Sequence, residues 1–139
     1  MGKRYYRRFG LRIKEMPRIK GNVLKDPVLQ KIVEIIVKEL DPDKIILFGS
    51  RARGDYKEDS DYDILVLKKG VKPEERRKLE TRLSISLFQS GLYSVCDIDV
   101  IVQDTGRFEE LKDRWDLVYY DIHNEGVVIY ENKRGKRVA

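Results

Sequence analysis

The fold turns on residues 44–67, "KIILFGSRARGDYKEDSDYDILVL". Lys44 to Phe48 is short and almost continuously apolar, as in a strand buried on both faces. Tyr62 to Leu67 reads the same way. Between them lie two arginines and three of the stretch's five acids, in a polar connection from Gly49 to Ser60 with a helical turn starting near Ser50. Twelve residues exceed what a tight hairpin needs, and long ordered links inside compact domains are often functional. Side chains alternate across a strand, so Asp61 and Asp63 share one face while Tyr62, Ile64 and Val66 share the other. Two neighbouring carboxylates repel and raise each other's proton affinity. A cation between them removes that cost, and hard divalent ions take such oxygen ligands together with substrate phosphates.

Working outward, "DPVLQKIVEIIVKEL" places Asp26 as N-cap and Pro27 at the first helical position. Leu29, Ile32, Val33, Ile36 and Leu40 keep helical spacing, so a helix is predicted over 27–40 and ends at Asp41-Pro42. After Gly70, a helix is predicted from Pro73 to about Phe88, with Leu79, Leu83, Leu87 and either Ile85 or Phe88 inward. "CDIDVIV", 96–102, reads as a third strand on which Asp97 and Asp99 share a face. Either could complete a metal site with Asp61 and Asp63 if the strands are neighbours. Phe108, Leu111, Trp115, Val118 and Ile122 are spaced as one helix face, and "VVIY", 127–130, as a short strand or edge segment. The expected class is α/β (α+β): a small mixed sheet of three or four strands flanked by helices.

The first half of the quoted link suits phosphate. Gly49 has no Cβ, so the backbone can approach a ligand closely. Ser50 supplies a hydroxyl, and Arg51 and Arg53 supply forked donors. Phosphate donors and metal-binding acids within so short a span fit a nucleoside triphosphate with Mg²⁺. The stretch is not a Walker loop, because no Gly-Lys-Ser/Thr follows.

Gly49-Ser50, ten intervening residues and Asp61-Tyr62-Asp63 resemble the signature of the polymerase-β-like nucleotidyltransferases. The fuller "GSRARG" and "SDYD", with "HNEGVVIYE" near the end, resemble the minimal nucleotidyltransferases known from prokaryotic toxin–antitoxin pairs, over about residues 28–131. The resemblance implies a palm-like sheet on which Asp61, Asp63 and Asp99 hold two Mg²⁺ ions. It favours Asp99 over Asp97, because a hydrophobic run and a polar turn follow it in "DVIVQDT". It implies that Gly49 and Ser50 hold the β- and γ-phosphates of ATP while an acceptor hydroxyl attacks the α-phosphorus. It also implies an antitoxin whose acceptor is a tyrosine of a HEPN-domain toxin, presented by that partner rather than by a second domain. Two other readings stand beside it: an antitoxin acting by binding alone, and a nucleotidyltransferase or binder of RNA.

Composition bounds these readings. The chain has 139 residues, 41% hydrophobic and 38% charged, a charge density well above the ~25% of an average domain and common in heat-adapted proteins. The net charge of +5 is uneven: residues 1–25 carry +8, 26–130 carry −6 and 131–139 carry +3. The expected organisation is a basic arm over 1–25, a nucleotidyltransferase domain over 26–131 and a basic tail over 132–139. The arm, with Tyr5, Tyr6 and Phe9 among its arginines, is either a solvated extension or a contact for nucleic acid, phosphate or an acidic partner. No apolar run approaches the ~20 residues of a membrane span. With the single Cys96 read as a small buried residue, the expectation is a soluble cytoplasmic protein.

Overall fold

The computed structural model describes residues 25–132; the arm and the tail, apart from Lys25 and Asn132, lie outside them. Helix α1 spans Pro27–Leu40. The Asp26 carboxylate accepts from the amides of Val28 and Leu29, at 3.0 and 3.1 Å, satisfying donors that the first turn leaves unpaired. Asp41 closes the helix in the left-handed conformation (φ 48°), its amide bonded to Val37 O. Strand β1 is Lys44–Phe48, the short helix α2 is Ser50–Arg53 and β2 is Tyr62–Lys68. A 3₁₀ turn, Pro73–Glu75, leads into α3, Arg76–Gln89. Then follow β3, Ile98–Asp104, α4, Thr105–Leu111, α5, Val118–Glu125, and β4, Val127–Glu131.

The strands form one mixed sheet in the order β3-β2-β1-β4. β1 is antiparallel to both β2 and β4, and β3 runs parallel to β2. Both faces are covered, which is why Ile64 to Leu67 is apolar without alternation. On one side Tyr62, Ile64 and Val66 pack with Ile32, Val33 and Ile36 of α1 and Leu83 and Leu87 of α3. On the other, Ile46, Leu65 and Leu67 pack with Phe108, Leu111, Tyr119 and Ile122. The outer edge of β3 is closed by side chains. Arg76 Nε donates to Val102 O (2.8 Å), Glu80 accepts from Val102 N (2.9 Å) and Tyr93 donates to Ile98 O (2.9 Å), so the edge offers fewer open groups to another chain. Among the described residues, no helix is long and apolar enough to cross a membrane.

Three local expectations are corrected. Neither Ile85 nor Phe88 turns inward; they are 52% and 69% exposed. Leu79, Leu83 and Leu87 recur every four residues and fill the narrow face against the sheet, while Ile85 and Phe88 fall outside that stripe. The third strand begins at Ile98 rather than Cys96, because Val95 and Cys96 still donate backward to Leu92 O. The single face from Phe108 to Ile122 is two short helices joined by a turn, with Trp115 82% exposed in the link. Leu117 N bonds Arg114 O, and Arg114 pairs with Asp116 at 2.8 Å. Breaking the helix there lets Tyr119, rather than Trp115, reach the core, edge-on to Phe108 at 6.0 Å.

Candidate active site

The site lies where β1 ends and β2 and β3 begin. Pairing sets Asp63 opposite Phe48 on one side and beside Asp99 on the other. Because β2 and β3 are parallel and in that register, the two aspartates point to the same face. Asp61 stands just ahead of β2. Asp97 precedes β3, and its backbone carbonyl accepts the Tyr62 amide at 3.0 Å. The pairing thus brings Asp99 level with Asp63 and leaves Asp97 outside the strand.

Burial pushes the Asp63 carboxyl above its ordinary range; the charges of Asp99 and then Asp61 push it further, and Arg53 partly offsets them. A half-buried carboxylate held among like charges is short of a cation. Among the described residues, no three acidic, histidine or cysteine side chains are gathered into a metal-holding group. Asp63 feels the charges of Asp99 and Asp61 without the three closing into a cage. An oxygen-only donor set left open in this way suits a hard divalent ion that also takes ligands from a bound phosphate.

Gly49 is fitted to this arrangement. Its backbone has φ 73° and ψ −157°, a region essentially reserved for glycine. A Cβ there would overlap Asp63 Oδ2 and lie 3.2 Å from Asp63 Cγ. The chain thus turns out of β1 directly against the carboxylate. Ser50 starts α2 and is partly exposed.

The two arginines part company. Arg53 is exposed, bonded loosely to Asp55 (3.5 Å) and Glu125 (3.4 Å), and near enough to Asp63 to act on its charge. Arg51, the other arginine expected to donate to phosphate, faces the connecting loop. Its Nε donates to Ser60 O at 2.9 Å, and Nη2 donates to Glu58 O at 2.9 Å and Lys57 O at 3.4 Å. Its guanidinium lies over the Tyr62 and Tyr56 rings, at 4.0 and 4.8 Å.

Two tyrosines near the site were not among the sequence candidates. The Tyr62 hydroxyl donates to Asp26 Oδ2 at 2.6 Å, tying β2 to the start of α1. Burial pushes the Tyr93 hydroxyl up, a bond with Ser84 lowers it, and the charges of Asp99 and Asp97 raise it again. Tyr62 had a signal, since it alternates with the two aspartates and must point into the opposite core; Tyr93 had none. Cys96 is buried, as expected, and burial raises its thiol.

A strand-end carboxylate pair, a third acid from a parallel neighbour and a Gly-Ser turn thus meet at one end of the sheet. Residues 30–135 match the family model described as Polymerase beta, Nucleotidyltransferase, and the chain belongs to that family. A Methanocaldococcus jannaschii protein provisionally named protein adenylyltransferase MJ0141 is 53% identical over 38 residues, which are 27% of this chain and 38% of that protein. The match therefore spans well under half of that relative. A crystal structure of a provisionally assigned nucleotidyltransferase from Sulfolobus solfataricus aligns at 28% identity and a TM-score of 0.51, over 77% of this chain and 80% of that one. A toxin–antitoxin structure with AMP-PNP aligns at 19% identity and a TM-score of 0.47, over 77% and 76%.

Proposed function

We propose that this chain transfers AMP from ATP to a hydroxyl of a partner protein. The observation that carries the reading is the meeting of Asp61, Asp63 and Asp99 with Gly49 and Ser50 at one end of the sheet. Family membership supports the reaction type, and the name of the M. jannaschii relative supports a protein acceptor.

Asp61, Asp63 and Asp99 would hold two Mg²⁺ ions, which when bound supply neutralising charge to the triphosphate and acidity to the attacking hydroxyl. Gly49 and Ser50 receive the β- and γ-phosphates: the glycine lets the backbone come close, and the serine offers its hydroxyl. The acceptor oxygen attacks the α-phosphorus in line. The new P–O bond forms as the bond to the bridging oxygen breaks, and pyrophosphate leaves. Asp99, exposed beside Asp63, takes the proton from the acceptor. Arg53, already acting on Asp63, contributes positive charge next to the leaving phosphates.

The acceptor is a tyrosine hydroxyl of a HEPN-type toxin, and the chain acts as its antitoxin; the resemblance of "GSRARG" and "SDYD" to the minimal nucleotidyltransferases supports this finer reading. Incubation with α-labelled ATP, Mg²⁺ and the co-expressed partner should label the partner and raise its mass in AMP steps. Asp61→Asn/Asp63→Asn should abolish labelling. Labelling that persists in that variant sinks the mechanism.

A further inference from the structure

Arg51 is placed to do more than brace a loop. Its Nε bonds the carbonyl of Ser60, and its guanidinium covers the ring of Tyr62. These are the residues immediately before and after Asp61. The same side chain gathers the carbonyls of Lys57 and Glu58. It is rooted in α2, one residue beyond Ser50. Its Nε and Nη2 donors go to backbone carbonyls rather than to acids. Tyr62 is itself held, its ring buried and its hydroxyl bonded to Asp26. Asp61, by contrast, is exposed at the end of a long polar loop.

We propose that Arg51 is the positioning residue for Asp61, tying the carboxylate's backbone on both sides to the helix that starts at the phosphate-contacting turn. The proposal rests on the reading of Asp61 as a metal ligand given above. A planar fork that bonds separate carbonyls while stacking on a ring is specific to arginine; an ammonium can supply the charge but not that geometry. Groups that orient a ligand from behind it typically cost about 10–100-fold in metal affinity when removed.

The test compares the full chain with Arg51→Ala and Arg51→Lys. Mn²⁺ binding is followed by the loss of its free electron paramagnetic resonance signal, with α,β-methylene-ATP present. Binding of that nucleotide alone is measured in EDTA, and folding by thermal unfolding. Both variants should bind Mn²⁺ about 10–100-fold more weakly while keeping wild-type affinity for the metal-free nucleotide. If Arg51→Ala does not fold, Arg51→Lys carries the comparison. Wild-type Mn²⁺ affinity in Arg51→Lys overturns the proposal, since charge alone then suffices. Weakened metal-free nucleotide binding overturns it too, by returning Arg51 to the phosphates. If the wild-type chain itself binds no Mn²⁺, the metal-site reading fails and takes this proposal with it, an outcome separate from the other two.

Discussion

Replacing Gly49 by alanine should separate stability from chemistry at one atom. The residue sits at φ 73° and ψ −157°, where a side-chain-bearing residue costs about 1–3 kcal/mol. The new methyl would overlap Asp63 Oδ2, with Asp63 Cγ at 3.2 Å and Cβ at 3.4 Å. The first two contacts are relieved if the carboxylate swings away, at about 0.5–1.5 kcal/mol for an off-rotamer side chain. Together these come to about 1.5–4.5 kcal/mol, less than the 5–15 kcal/mol, roughly, that hold a domain folded. Gly49→Ala should therefore fold, with a melting temperature lower by about 10 °C. Under the proposed mechanism its transferase activity should also fall, on the order of 100-fold, because the displaced Asp63 would no longer meet the metal. A double-mutant cycle isolates the contact. Asp63→Ala leaves only the Cβ at ordinary contact distance, so Gly49→Ala should cost less in that background by about 0.5–1.5 kcal/mol. Urea titrations of the four proteins measure the cycle. A Gly49→Ala variant as stable as wild type, or an additive cycle, would show that the backbone does not press against Asp63.

Asp63→Asn should stabilise the metal-free protein near neutral pH even as it removes activity. Burial, Asp99 and Asp61 hold the Asp63 carboxyl above its ordinary value of 3.8, so in the window above that value the folded state binds the proton more tightly than the unfolded one. Stability then declines as pH rises through the window; the asparagine variant should lack that decline in EDTA, and equal slopes in the two proteins would refute the repulsion. Gly126→Ala tests packing without a backbone conflict. Gly126 has φ −71°, yet a Cβ would crowd Ile122 O and lie 2.6 Å from Ile46 Cγ2. The expected loss is about 1–3 kcal/mol by chemical denaturation, and a neutral result would mean that α5 can lift off β1 freely.

Much of the fold was legible because its signals are local. Asp26-Pro27 and the spacing from Leu29 to Leu40 specify α1 through capping and a single buried stripe, and its observed ends agree. Lys44 to Phe48 is strand for its full length, and Tyr62 to Leu67 extends by one residue. Where two patterns competed, local reading failed. Phe108 to Ile122 satisfies helical spacing throughout, but the second core accepts two short helices and leaves Trp115 outside. Ile85 and Phe88 are apolar, and only the width of the sheet edge beneath α3 decides that neither has anywhere to go.

The candidate site divides along the same line. Sequence alone predicted that Asp61 and Asp63 share a face, that Tyr62 points away from them and that a glycine stands at the turn; Tyr62 is buried against α1, and Gly49 turns against Asp63. All three follow from strand alternation and from the freedom of a residue without Cβ. Tertiary structure decided which acid of the third strand stands beside Asp63. Asp97 and Asp99 are equivalent by alternation, and the parallel register of β3 on β2 sets Asp99 beside Asp63. It also decided what Arg51 touches, since a guanidinium ten residues from Tyr62's neighbour Asp61 meets that loop only after β1 and β2 have paired and closed it. Periodicity describes how a chain presents its own side chains; register between strands is a property of two segments and exists only once they have met.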